Sequence, residues 1–362
     1  MIPVYKPYLN KKILKYAHDA LDSTWISSTG KYIELATEEL QKRFGVKYVL
    51  LTNTGTAALH LVARTLRKKY NFTLDILVPN NVYVAAWNAF LYDRNFRLIN
   101  TDTNLATWNM DLSNFSYTRH KVQAVLVVHN LGNVVNVPKL IKEYSHVTFI
   151  EDACEAFGGT YEGFPAGTKS LMSAMSFYAN KNITAGEGGA FITNDDDCYN
   201  YAKLLRDAGQ TEDKFIHSEL GYNYRMTNIE AAILYGQLKY ADEILNRKWE
   251  VFSKYYHNLQ GVVEFQMREN STTQAYWMFG IRIAGNTGFE KAKKFFESVG
   301  IEIRPFFYPI NAHSHLKSHW LDMDNAKLLS KEVIILPSYP ELSIKDIDYI
   351  SEKVREYVKS IR

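Results

Sequence analysis

The feature that most constrains the fold is an alternation of short apolar runs and helical patterns through the first two-thirds of the chain. Tyr48 to Leu51 reads as a strand and Thr56 to Lys68 as a helix. Ile76 to Pro79 is a second strand, followed by a helical stretch from Val84 to Tyr92. Arg97 to Asn100, Ala124 to His129, Val147 to Glu151, Ser173 to Tyr178 and Gly188 to Thr193 are further strand candidates. Strands regularly separated by helices predict an α/β domain with a mainly parallel central sheet. Such sheets carry their chemistry at strand ends, in the turns that lead into helices.

The pattern changes after Asn228. A long helical stretch is expected to about Lys248, then a strand over Ala275 to Ala284, a helix over Gly288 to Val299, and a closing amphipathic helix over Ile344 to Ile361 capped by Ser343. We therefore expect a large domain over residues 1–245, with an N-terminal arm over about 1–33. A smaller α+β C-terminal domain is expected over 246–362. A chain of 362 residues suits one large core with one smaller appendage.

Composition mainly excludes. With 46% hydrophobic and 22% charged residues the chain falls in the range of soluble globular proteins. A formal net charge of +3, with no basic run, gives no reason to expect a nucleic-acid partner. Cys154 and Cys198 are the only cysteines, too few and too isolated for a disulfide framework or a zinc site, so no metal is expected. A reducing compartment suits them. Met1 to Tyr8 lacks the charge-then-apolar order of a secretory signal, and no apolar run approaches a membrane span. A cytoplasmic location without membrane attachment is the expectation.

Four segments carry chemistry. In Ser176-Phe-Tyr-Ala-Asn-Lys181-Asn-Ile-Thr-Ala-Gly186-Glu-Gly-Gly, Lys181 sits between a strand and a glycine-rich turn, whereas surface lysines usually occupy helix faces. A lysine in a poorly solvated or electropositive site forms a Schiff base with an aldehyde readily. In Phe149-Ile-Glu-Asp152-Ala-Cys-Glu155, an apolar strand ends in Asp152, placed either to pair with a protonated ring nitrogen or simply to cap a helix. Leu51-Thr-Asn-Thr54-Gly55-Thr56 is a strand-to-helix turn of the kind that cradles phosphate, or a plain connection. Tyr83, after the strand ending at Pro79, is placed to stack on a flat ring or to pack in the core. One ligand, pyridoxal 5'-phosphate (PLP), accounts for all four.

These segments resemble the DegT/DnrJ/StrS-type family of PLP-dependent nucleotide-sugar aminotransferases, within the fold-type-I (aspartate aminotransferase-like) transferases. The resemblance runs in order through Ile2-Pro-Val, Thr24-Trp-Ile-Ser-Ser-Thr-Gly-Lys31-Tyr, Asn53-Thr-Gly-Thr-Ala-Ala-Leu-His60, Val128-His-Asn-Leu-Gly132 and Glu151-Asp-Ala. It continues through the lysine segment, Gly221-Tyr-Asn-Tyr-Arg225-Met-Thr-Asn, Arg304-Pro-Phe-Phe-Tyr-Pro309 and Leu336-Pro-Ser-Tyr. It implies that Lys181 holds the cofactor and moves protons, that Asp152 pairs with the pyridine nitrogen, and that Glu155 lies by the ring hydroxyl. Tyr83 would stack on the ring, and Gly55, Thr56 and Ser176 would bind the phosphate. Asn223, and with it Arg225, would come from a neighbouring subunit of a homodimer with shared sites. Arg225, Arg304, Tyr308 and His313 are the expected substrate residues.

The resemblance further implies L-glutamate as donor, pyridoxamine phosphate as intermediate, and a nucleotide-linked 4-keto-6-deoxyhexose aminated at C4, of the viosamine or perosamine type. A 3-aminotransferase and a non-catalytic binding protein of the same fold are the alternatives. Two positions depart from the pattern. Asn311 stands where many relatives carry histidine, with His313 or His315 as candidate substitutes. Trp87 replaces a smaller residue, as in some 3-aminotransferases. Both are expected to border substrate.

Overall fold

The computed structural model describes residues 1–70, 72–112, 122–316 and 323–361. The chain opens with helices α1 (Lys11–Asp22) and α2 (Lys31–Phe44). Then follow β1 (Tyr48–Thr52), α3 (Gly55–Lys69), β2 (Leu74–Pro79), α4 (Ala85–Leu91), β3 (Phe96–Thr101), β4 (Ala124–Val128), α5 (Val137–Glu143) and β5 (Thr148–Asp152). Next come β6 (Thr160–Tyr161), β7 (Phe164–Pro165), β8 (Met172–Ser176), β9 (Gly189–Thr193), α6 (Asp196–Arg206), α7 (Asn228–Lys239) and α8 (Ala241–Leu259). The remainder comprises β10 (Glu264–Phe265), β11 (Thr272–Thr273), β12 (Phe279–Arg282), α9 (Phe289–Ser298), β13 (Arg304–Pro305), α10 (Asp324–Glu332), β14 (Val333–Leu336) and α11 (Ile344–Ile361).

Seven strands form the central sheet in the order β1-β9-β8-β5-β4-β2-β3. The run from β8 to β3 is parallel, and β9 is antiparallel to both its neighbours. The expected fold class, a mainly parallel sheet of the fold-type-I kind, is what forms. Strands β4, β8 and β9 are buried along their whole length, because helices cover both faces of the sheet. One core gathers Val125, Val127 and Phe149 against α2 and α7, and the other gathers Leu126, Val128 and Ile150 against α3 and α4. Alternate residues of one strand thus serve opposite faces.

A four-stranded antiparallel sheet, β10-β12-β14-β13, packs against α8, α9 and α11 to make a third core. The long helix expected from Asn228 to Lys248 is broken at Tyr240 (φ −117°, ψ 15°), and α8 then continues to Leu259. Ala241 and Ile244 belong to the first core, while Val251, Phe252 and Tyr255 belong to the third. One helix therefore hands over between cores across the residue 245–246 junction. The strand expected over Ala275 to Ala284 is shorter, only Phe279–Arg282. The closing helix starts as expected, with Ser343 Oγ accepting from the Asp346 amide at 3.1 Å. The N-terminal arm contains α1, which lies against α7. A Cβ on Gly236 would come 2.8 Å from the Ile13 carbonyl, so this close approach requires glycine.

Candidate active site

A cavity of about 450 Å³ opens at the carboxyl ends of β1, β5 and β8, where such sheets place ligands. Its wall at β1 is the start of α3. Thr54 has extended backbone (φ −152°, ψ 158°) and caps the helix through Oγ1, which accepts from the Ala57 amide at 3.0 Å. The first turn holds no acidic residue, so its amides and helix dipole face the cavity uncompensated. Ser176, at the end of β8, stands beside it. A Cβ on Gly55 would meet the Ser176 Cβ at 2.7 Å, so only glycine lets the helix start approach the serine this closely.

At the end of β5 two adjacent carboxylates face opposite ways. Glu151 is fully buried and accepts from His129 Nε2 at 3.0 Å, Tyr161 Oη at 3.1 Å and the Gly167 and Ser170 amides. Burial opposes its charge, but these donors outweigh burial and hold its carboxyl below the usual range. His129 Nδ1 accepts from the Val135 amide, so Nε2 carries the proton donated to Glu151. Asp152 instead lines the cavity, with Oδ1 accepting from the Cys154 amide at 3.1 Å. Glu151 braces the strand end, and Asp152 is presented by it.

Lys181 reaches into the same cavity with its side chain 12% exposed, and its Nζ lies 3.8 Å from Glu155 Oε1. Burial pushes the Glu155 carboxyl up to about 7, against the lowering effects of Lys181 and of the Leu131 amide that Oε2 accepts at 2.8 Å. Protonation of Glu155 thus changes near neutral pH. Tyr83, 61% exposed, lines the same cavity, as does Arg304.

The cavity therefore brings together Gly55, Thr56, Tyr83, Asp152, Glu155, Ser176, Lys181 and Arg304. It does not include Asn223, Arg225, Tyr308 or His313 of the same chain. Asn223 lies in a β-bridge with Asp207, and Arg225 Nε donates to Ser28 Oγ at 3.2 Å. His313 packs its ring 5.4 Å from Trp87, and His315 pairs with Asn88 Oδ1 at 3.0 Å. Trp87 is fully buried, donates its indole N–H to the Pro79 carbonyl at 2.9 Å, and does not line the cavity. Sequence reasoning missed Trp277, which lines the cavity and whose ring centroid lies 3.7 Å from Lys181 Nζ. It also missed Tyr5, whose hydroxyl donates to the Lys181 carbonyl at 2.8 Å. Neither carries a local signal, since each meets the lysine only through the fold. A second cavity of about 460 Å³ gathers Arg64, Arg67, Lys68 and Arg94 with Asp93, and its Lys68 already pairs with Glu219 at 3.6 Å. Among the described residues no cluster of three or more His, Cys, Asp or Glu side chains is arranged to hold a metal ion, and no helix is long and apolar enough to cross a membrane.

The chain is 34% identical over 360 residues to the GDP-perosamine synthase of Escherichia coli O157:H7, covering 98% of both chains. It is 32% identical to the GDP-perosamine synthase of Vibrio cholerae over the full length of both. Among solved structures, the Helicobacter pylori aminotransferase PseC, involved in the biosynthesis of pseudoaminic acid, superposes with a TM-score of 0.90 at 25% identity, over 99% of each chain. An Escherichia coli GDP-4-keto-6-deoxy-D-mannose-3-dehydratase with bound hydrated PLP gives the same TM-score at 21% identity, covering 98% of this chain and 99% of that one, which speaks for the fold. Residues 7–355 match the DegT/DnrJ/EryC1/StrS aminotransferase family, and the chain belongs to it.

Proposed function

We propose that this chain is a PLP-dependent aminotransferase that moves the amino group of L-glutamate to the C4 keto carbon of a nucleotide-linked 4-keto-6-deoxyhexose, giving a perosamine-type product. The observation that carries it is the convergence on one cavity of the Lys181 amine, the Asp152 carboxylate, the open start of α3 and the Ser176 hydroxyl. This set fits the cofactor. The α3 amides of Gly55 and Thr56, with Ser176, suit a phosphate, Asp152 suits a protonated ring nitrogen, and Tyr83 suits a flat ring. When bound, PLP supplies an aldehyde for the lysine and an electron sink for the carbon that loses its proton.

The chain's own residues then divide the remaining work. Lys181, freed as an amine, removes and returns the proton at the reacting carbon. Glu155 lies within 3.8 Å to hold that amine, and its near-neutral titration lets it accept or share a proton with the lysine. Arg304, whose guanidinium lies 3.6 Å from Glu302 Oε1, lines the cavity and would meet an anionic group of the substrate. Asn223 and Arg225 act, in this proposal, across a homodimer interface, which accounts for their place outside their own chain's cavity. Tyr308 and His313 belong to the outer substrate surface of the same reading. Residues 1–245 would hold the cofactor, with 246–362 closing over it. A cytoplasmic setting is part of the reading, and both cysteines are free thiols.

The burial of Trp87 removes one argument for the 3-aminotransferase alternative, because this indole does not border the cavity. Incubation with glutamate and a panel of UDP-, dTDP- and GDP-linked 4-keto-6-deoxy sugars, with products read by mass and NMR, tests the proposal. A 4-amino sugar on the GDP-linked substrate is expected. Amination at C3, or inactivity on every member, overturns it.

A further inference from the structure

Trp277 meets Lys181 in a manner that core packing alone does not require. Lys181 Nζ lies 3.7 Å from the centre of the indole. The indole N–H donates to the carbonyl of Asn180, the residue before the lysine, at 2.7 Å. The main-chain carbonyl of Trp277 accepts from Lys248 Nζ, also at 2.7 Å. The indole is thus tethered at its edge and at its backbone. Turning it away from the lysine would leave a nearly buried N–H without its partner, which is costly.

We propose that Trp277 is the positioning residue for Lys181, its ring face and its bond to Asn180 together holding the amine on the cavity side of the lysine turn. The inference rests on the reading of Lys181 as the cofactor lysine. A lysine side chain has a flexible four-carbon stem, so an unrestrained amine spends much of its time away from a bound aldehyde. An indole face attracts an ammonium yet offers no lone pair to sequester it, unlike a carbonyl or carboxylate. Glu155 flanks the amine within 3.8 Å, and Asp152, Cys154, Glu187 and Arg304 line the same pocket. The ring on one side and Glu155 on another leave the cavity as the open direction. A leucine there would fill space without attracting the amine.

The test uses the full-length chain freed of cofactor and mixed with PLP. Condensation of the lysine amine with the aldehyde forms an imine and releases water, and its absorbance band is followed by stopped flow. The dependence of rate on PLP concentration separates initial affinity, set by the phosphate cradle, from the capture step. W277L is expected to slow capture about 3- to 30-fold while initial affinity stays within about two-fold. W277F keeps a weaker ring face and loses the N–H, so its capture falls between wild type and W277L. Thermal melts are recorded for each protein, and a slowing that follows the order Trp, Phe, Leu without following the melting temperatures supports the positioning role. If W277L does not fold, W277F against wild type decides, and equal capture rates in that pair overturn the role. A band that survives K181A overturns the assignment of Lys181, and with it the role of Trp277. A normal wild-type band with unchanged capture in the tryptophan variants overturns the role of Trp277 alone.

Discussion

Lys248 lies on α8 with no exposure, its Nζ donating to the carbonyls of Trp277 and Ser338. Lys181 is less deeply placed, 12% exposed beside the same tryptophan, and its amine faces a carboxylate and a ring face rather than carbonyls. The contrast shows how surroundings assign work to identical side chains. Burial pushes the Lys248 amine well below the usual lysine range, and the two N–H groups of a neutral amine match its two carbonyls. That amine is fully engaged and joins the helix to the Trp277 and Ser338 segments. Lys181 meets Glu155 and the Trp277 ring and lines the cavity, which suits the bond-forming role proposed for it. The largest effect should follow from this difference. K181A should lower turnover by about three orders of magnitude or more and abolish the imine absorbance, while the melting temperature of the cofactor-free protein changes little. Undiminished turnover would end the assignment.

The same comparison predicts the reverse for Lys248. K248M fills much of the same volume but leaves two buried carbonyls unpaired, at a cost of about 2–4 kcal/mol in stability. There is also a pH signature. The folded value is depressed below the ordinary 10.5, so the unfolded chain binds more protons in the interval between them. The contribution of Lys248 is full above 10.5 and is lost as pH falls toward the folded value. Wild-type stability should therefore rise with pH across that interval relative to K248M. Denaturant melts at a series of alkaline pH values measure it, and parallel curves for the two proteins would show that Lys248 is not buried as described.

Glu155 tests the cavity side of the comparison with the opposite sign. Its folded value, about 7, lies above the ordinary 4.5, so the folded chain binds the extra proton between them. The stability it contributes is full below 4.5 and is lost as pH rises through 7. The loss is about 3 kcal/mol for a shift of this size. Melts of cofactor-free wild type should decline across that window relative to E155Q, which has nothing to titrate. Identical profiles would mean that the carboxyl is neither desolvated nor coupled to Lys181.

These partners also mark the limit of what the sequence revealed. Lys181, Asp152 and the Thr54 to Thr56 turn were legible because strand, turn and polar side chain lie close together in the sequence, and one ligand accounts for all three. Glu155 became legible only through the family resemblance. Trp277, Tyr5 and Lys248 left no trace, since an aromatic or a lysine in a mixed segment looks the same whether it meets Lys181 or solvent. The seven-stranded order was legible as a class but not as an arrangement, because β9 inserts antiparallel between β1 and β8, a choice made by tertiary packing. The break at Tyr240 escaped because the apolar pattern of α7 continues into α8, while the turn of the backbone answers to a change of core.

Tyr5, like Trp277, touches both lysines. Its hydroxyl donates to the Lys181 carbonyl at 2.8 Å, and its ring centre lies 5.4 Å from Lys248 Nζ. Y5F removes the first contact and keeps the second. If the lysine turn is held from outside by the N-terminal arm, Y5F should cost about 1 kcal/mol in stability and slow PLP capture by a few-fold, with the pH signature of Lys248 intact. If the turn is held without the arm, by the bonds from the Lys181 amide to the Tyr178 carbonyl and from the Ala185 amide to the Phe177 carbonyl together with the Trp277 indole on Asn180, capture should not change. The smallest effect in the series is thus the one that separates a turn held without the arm from one that depends on it.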